Sequence, residues 1–317
     1  MHHPPAAHVD RLNILDVKTG RFPQDRCDAL FAAILIDDEV DEDARLPGDI
    51  RLDYTREELD ACFKLCRQLW RSGFDRGHLA ALSEKLIRRR DLEDADRLQF
   101  KHVRAKFKHF RYAHALYGRA HRYPRLLDRI TITMGHLQDA YRNGRRQVVL
   151  REALLLRLLL TRPPLHLLYA ETEAIDLATP QSFRSLLEQD VATMTAMLAG
   201  DKTTGRRFHL TRKVIGRQVS FWDTLRTISP SADRYDMSRS LSAINGLMGD
   251  LHDRMVERRA LDPATYDAAF ALPDEIRSRI AALIPAYAIN TAGSEKRMPQ
   301  DAQTADETTR SAGLRGL

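Results

Sequence analysis

One six-residue phrase occurs twice in this chain, as Met134-Gly135-His136-Leu137-Gln138-Asp139 and as Met248-Gly249-Asp250-Leu251-His252-Asp253. Each copy follows a strongly basic segment with helical spacing, residues 101–111 before the first and 206–217 before the second. Four identical positions in a hexamer are weak evidence alone. The same upstream partner both times points to a duplicated helical unit, and a repeat of this kind decides the architecture before any local pattern does.

The rest of the chain agrees with an all-α fold. Thr55-Arg56-Glu57-Glu58 is a capping box, followed by an apolar helical period at Leu59, Phe63, Leu65, Leu69 and Trp70. Further helices are predicted over 76–90, 93–117, 124–143, 145–160, 165–174, 180–198, 205–228, 232–259 and 263–270, with Pro or Gly at nearly every junction. No run of alternating β-branched residues predicts a strand. Residues 1–54 form an N-terminal extension whose pattern is mixed, with 31–36 a buried helix turn or a strand. Residues 55–287 form the helical domain, in halves of about 55–175 and 176–287. Residues 288–317 are polar and are expected to be a disordered tail.

Cys62 and Cys66 lie four apart, on one helical face, and with Cys27 make three cysteines without metal-type spacing. Buried, reduced thiols and a cytoplasmic setting are expected. The start Met-His-His-Pro-Pro lacks the apolar stretch of a signal peptide. The apolar run over 147–160 is too short to span a bilayer and is broken by Arg151, Glu152 and Arg157. No cofactor or metal is implied.

The two basic segments carry the functional signal. Lys101, Arg104, Lys108 and Arg111 step by three, four and three, so they share one face of a helix. Arg206, His209, Lys213 and Arg217 repeat that arrangement, with Arg212 beside them. The net charge is only +6, so clustering matters more than the total. Residues 101–123 and 208–222 contain no Asp or Glu at all. Like charges along one edge repel by a few tenths of a kcal/mol per pair, and an uncompensated row is a ready site for a polyanion. In the repeated phrase, Gly135 and Asp139, like Gly249 and Asp253, are one turn apart. Close helix–helix approach is expected to offset the helical cost of glycine, about 1 kcal/mol relative to alanine. The aspartates are placed either to hold a cation of the basic helix or simply to pack.

Basic helix, connector, then a helix with a Leu-Gly-x-x-x-Asp-like phrase, duplicated, resembles the CHAD domain, the conserved histidine α-helical domain. His209, Arg212, Lys213 and Arg217 match its His-x-x-Arg-Lys-x-x-Lys-Arg-x-Arg-Tyr opening, and Met248-Gly249 with Asp253 match its later phrase. Arg104, Lys108, Arg111 and Tyr112, then Met134-Gly135 and Asp139, match in the first half. Lys101 stands where the first histidine would be, and Gly216, Val219 and Ser220 replace basic and tyrosine positions. The resemblance implies two pseudo-symmetric four-helix halves around a basic cleft that binds inorganic polyphosphate without catalysis, at polyphosphate granules in the cytoplasm. The Glu-x-Glu-x-Lys triplet of fused triphosphatase domains is absent.

Three other readings compete. The same cations can grip DNA or RNA phosphates, although no helix-turn-helix, zinc finger or aromatic RNA-binding motif is present. Asp37-Asp38-Glu39-Val40-Asp41 has the Asp-Asp-x-x-Asp form of class I terpene synthases, and Asn245, Gly249 and Asp253 echo their second metal motif. An acidic, solvated loop is the plainer reading of 37–43. The leucine-rich stretch 150–168 can serve an interaction scaffold or pack within its own bundle.

Overall fold

A computed structural model describes residues 20–295 apart from 49, 51, 174 and 262–267. The described residues form an all-α protein of eleven helices. They are α1 (Gln24–Leu35), α2 (Arg56–Ser72), α3 (Arg76–Arg89), α4 (Asp94–Tyr117), α5 (Arg125–Arg142), α6 (Arg146–Leu159), α7 (Arg162–Glu173), α8 (Pro180–Leu198), α9 (Gly205–Ile228), α10 (Ala232–Leu261) and α11 (Asp274–Glu295). Two-residue strands β1 (Lys202–Thr203) and β2 (Phe270–Ala271) pair antiparallel. No helix among the described residues is long and apolar enough to cross a membrane.

Local chemistry sets the helix ends. Thr55 and Glu58 form the expected capping box at α2, each side chain taking the other residue's backbone N–H. A cap of this kind contributes about 1 kcal/mol. Asp75, Thr179 and Thr204 cap α3, α8 and α9 through their side chains. In α4 the residues Phe100, Val103, Phe107, Phe110, Ala113 and Tyr117 recur at steps of three and four and are all buried, while Lys101, Arg104, Lys108 and Arg111 occupy the other side.

Helices α3, α4, α5 and α6 pack as a ring, each against the next and α6 back on α3. Helices α8, α9, α10 and α11 pack in the same cyclic order. α4 touches α9 directly, joining the rings, and α1 and α2 lie against both of these helices. Past its first turns α9 is buried nearly all round, from Val214 to Ile228, which marks it as the interior helix of the molecule.

Of the two readings of 31–36, the structure has the helix, and other segments differ from expectation. Residues 24–35 are helical, and Phe22, Cys27, Leu30 and Ile34 belong to the same core as α2, α4 and α9. The helix predicted over 263–270 falls mostly outside the described residues, and Phe270 sits in β2. Helix α11 adds to the predicted helices: it contains Pro285, and Ile276, Ile280, Leu283 and Tyr287 are buried at helical spacing. It continues to Glu295, past the expected start of the tail at 288. Residues 296–317 lie outside the described residues. The three cysteines are free and buried, as expected. Burial pushes the Cys62 and Cys66 thiols well up, so both stay protonated.

Candidate anion-binding cleft

The meeting of α4 and α9 fixes where the basic residues go. His109 of α4 is buried, with Nδ1 3.0 Å from Ser220 Oγ and Nε2 3.0 Å from Thr224 Oγ1 of α9. Burial drives its pKa down to about 3, outweighing the pull of Asp37, so the ring is neutral. One turn further along α4, the Tyr112 hydroxyl lies 3.0 Å from where a Cβ on Gly216 would stand. Contacts descend α9 as they ascend α4, so the two helices run in opposite directions where they meet. Gly216, which replaces a basic position of the resembled motif, is the notch that receives Tyr112.

Three of the proposed cations are already neutralised from inside the molecule. Lys108 Nζ is 2.8 Å from Asp37 Oδ2. Arg111 Nη1 is 2.8 Å from Asp128 Oδ1, and its guanidinium lies 4.6 Å from the centroid of the Tyr123 ring. Arg217 is paired with the buried carboxylate of Asp190, which also accepts from Gln218 Nε2 at 2.6 Å. The absence of acidic residues along the basic segments therefore does not mean an absence of acidic partners: these carboxylates come from other elements.

The remaining cations have no carboxylate at ion-pair distance among the described residues. Lys101, Arg206 and Lys213 are exposed, and Arg104 and Arg212 are half-buried. Arg104 Nη1 donates to Gln138 Oε1 at 3.3 Å, while its Nε is buried without an acceptor. Its Nη2 lies 3.4 Å from where a Cβ on Gly135 would be. Arg212 repeats the arrangement, with Nε buried and unpartnered and Nη2 3.6 Å from the Cβ position of Gly249. The glycine of each phrase thus leaves room for an arginine of the preceding basic helix. That is more specific than the backbone approach expected from the sequence. An alanine would just touch the guanidinium, and a larger side chain would displace it.

The aspartates behave differently from the expectation that they clamp a cation. Asp139 and Asp253 are exposed and make no ion pair with α4 or α9 among the described residues. Asp139 instead acts at a distance: it favours the charge of Arg104 against burial, while the pKa of His252 on α10 is lowered by burial and by Arg212, with Asp253 and then Asp139 opposing. His252 stacks on His209, with ring centroids 5.4 Å apart and planes 27° from parallel. Both Nδ1 atoms are buried without a hydrogen-bond partner, although Asp253 Oδ1 is 3.6 Å from that of His252. Burial, then Lys213, His252 and Arg212, hold His209 down to about 4. His252 was not singled out by its sequence position. The signal was its place in the second phrase, directly after the shared Gly-x-Leu core.

The acidic stretch 37–41 is only partly a solvated loop. Asp37 points inward onto Lys108, and its backbone oxygen accepts from Asn245 Nδ2 at 2.8 Å. Arg239 Nη2 meets Glu39 at 3.1 Å, and its Nε lies 3.7 Å from Asp41. Asp37 and Asp41 of the Asp-Asp-x-x-Asp phrase therefore face separate cations, Lys108 and Arg239. Among the described residues no three His, Cys, Asp or Glu side chains gather as a metal ion would require.

No family model, curated protein or solved structure matches this chain. An open cleft of about 860 Å³ lies beyond the C-terminal end of α4, lined by His114, Arg119, His121, Arg122, Arg125, Glu171 and Asp176 among others. Arg119 meets Asp176 there at 3.2 Å, and Glu171 accepts from the backbone N–H of Leu126 at 2.9 Å.

Proposed function

We propose that this protein binds a polyanion without catalysis, inorganic polyphosphate before others, along the surface shared by α4 and α9. The observation that supports it most is the matched pair Arg104–Gly135 and Arg212–Gly249. Each is a half-buried guanidinium, laid beside its glycine, with no carboxylate partner among the described residues. Unused N–H groups on a fixed cation suit phosphate oxygens, because charge-assisted bonds of this kind are the strong ones. Lys101, Arg206 and Lys213 extend the positive field around them, and the stacked His209 and His252 lie beside Arg212 as neutral rings. In this reading the rings α3–α6 and α8–α11 are the pseudo-symmetric halves, and α4 with α5 answers to α9 with α10.

Spacing argues for a chain-like anion. Measured from the contact of Tyr112 with Gly216, Arg104 lies eight residues back along α4 and Arg212 four residues back along α9, in opposite directions. At 1.5 Å per residue that separates their α-carbons by about 18 Å along the helices. One phosphate does not serve both. The likeness to CHAD domains is what selects polyphosphate from other chains of phosphates.

The test is displacement of labelled long-chain polyphosphate by duplex DNA and by tRNA at matched charge and salt. Polyphosphate is expected to hold its place against both. The variant Arg104→Ala/Arg212→Ala should lose at least about a hundredfold in affinity, at about 1.5–3 kcal/mol per charge-assisted contact, with its helical circular dichroism intact. Unchanged affinity in that variant overturns the site. Equal displacement by tRNA transfers the reading to nucleic acid.

A further inference from the structure

Helix α6 presents an outward face that the cleft does not use. Its inner side is buried through Val149, Ala153, Leu156 and Leu159. On the opposite side Leu150, Leu154 and Leu158 follow one another at four-residue steps, which aligns them in one stripe along the helix. Leu154 is 50% and Leu158 61% exposed, and Leu150 is half-buried. A single exposed leucine is ordinary. Here the stripe is bordered by arginine. On the helical projection Arg151 stands on one side of it and Arg157 on the other, with Arg146 one turn before Leu150. All three arginines are exposed. Arg146 and Arg157 have no carboxylate partner among the described residues. The single acid of α6, Glu152, is buried and held by Arg151 at 2.8 Å.

The charge of this face chooses its occupant. A second copy docking through the same stripe by a two-fold axis sets arginine against arginine, with no exposed acid on α6 to meet it. Protruding leucines also form a ridge rather than a groove in which a partner helix could sit. An apolar ridge between rows of arginine instead matches the boundary of an anionic bilayer. There the leucines enter the acyl edge and the guanidiniums stay at the headgroups. The geometry points to the outer face of α6 as a peripheral binding surface for anionic phospholipid, independent of the basic surface shared by α4 and α9.

Co-sedimentation of the full chain with vesicles tests this. The protein is expected to bind vesicles of phosphatidylcholine mixed with phosphatidylglycerol and not vesicles of phosphatidylcholine alone. Leu154→Ser/Leu158→Ser keeps every charge and should weaken that binding by about tenfold or more, given the apolar area it withdraws. Arg146→Gln/Arg151→Gln/Arg157→Gln should weaken it by about a hundredfold, at roughly 1 kcal/mol per arginine near an anionic surface. Arg104→Ala/Arg212→Ala should leave it unchanged. Absence of vesicle binding overturns the inference, as does binding that survives the leucine variant or disappears with the cleft variant. A leucine variant that turns a dimer into a monomer in sedimentation velocity also overturns it, because the face would then be a self-interface.

Discussion

Replacing Arg217 should damage the fold, whereas replacing Arg212 should damage binding, although the two lie five residues apart on the same basic helix. The carboxylate of Asp190 is 2% exposed and rests on Arg217 and Gln218. Burial pushes its pKa upward, and Arg217 and Gln218 pull it back. Arg217→Ala leaves that carboxylate with one neutral donor in a dry site. Breaking a buried pair by removing one partner costs about 3–5 kcal/mol, which lowers the melting temperature by roughly 6–20 °C at about 2–4 °C per kcal/mol. Arg212→Ala removes a guanidinium with no carboxylate partner and should cost under about 1 kcal/mol. Urea unfolding followed by circular dichroism measures both, and polyphosphate binding is read on the same samples. Adding Asp190→Asn to Arg217→Ala should recover much of the lost stability by removing the stranded charge. If Arg217→Ala unfolds at the wild-type urea midpoint while its polyphosphate binding collapses, then Arg217 is a ligand-binding cation and the division between paired and free cations is wrong.

Two further outcomes follow from the same division. Asp37→Asn releases Lys108 from its 2.8 Å partner and should tighten polyphosphate binding, with the slope of log K against log salt steeper by about one; an unchanged slope means that Lys108 does not face the ligand. Polyphosphate binding should also tighten as pH falls from about 7 to 5. His209 and His252 are held low in the free protein by burial and by Arg212, an adjacent polyanion raises both, and the complex therefore takes up protons. His209→Gln/His252→Gln should flatten the pH dependence of Kd measured by calorimetry, and a dependence that persists assigns it to other groups.

The helices were legible because their signals are local. The capping box at Thr55, the apolar steps of α4 and the glycine stops need only a few neighbouring residues to be read. The partners of the cations were not legible, because Asp37, Asp128 and Asp190 reach Lys108, Arg111 and Arg217 from 71, 17 and 27 residues away. Counting acids within the basic segments could not find them. The same limit applied to Asp37 itself. Its acidic neighbours read as a solvated loop until α10 supplied Arg239 and Asn245. Glycine was half legible. The duplicated phrase exposed Gly135 and Gly249 as special, but only the packed structure shows that an arginine side chain, and not a neighbouring helix backbone, fills the space.

That filling has an entropic consequence. A free arginine on a helix samples many rotamers, and immobilising such a side chain on binding costs about 0.5–1.5 kcal/mol. Arg104 and Arg212 rest against the glycine-bared surface of the next helix before any ligand arrives. Their freedom is surrendered once, during folding, together with the roughly 1 kcal/mol that each helical glycine forgoes. On the proposed reading an anion would meet donors already in position, so about 1–3 kcal/mol that would otherwise oppose association would be absent for the pair. A lysine, a flexible stem with a point charge and no planar face to lay on the helix, would not reproduce this pre-organisation.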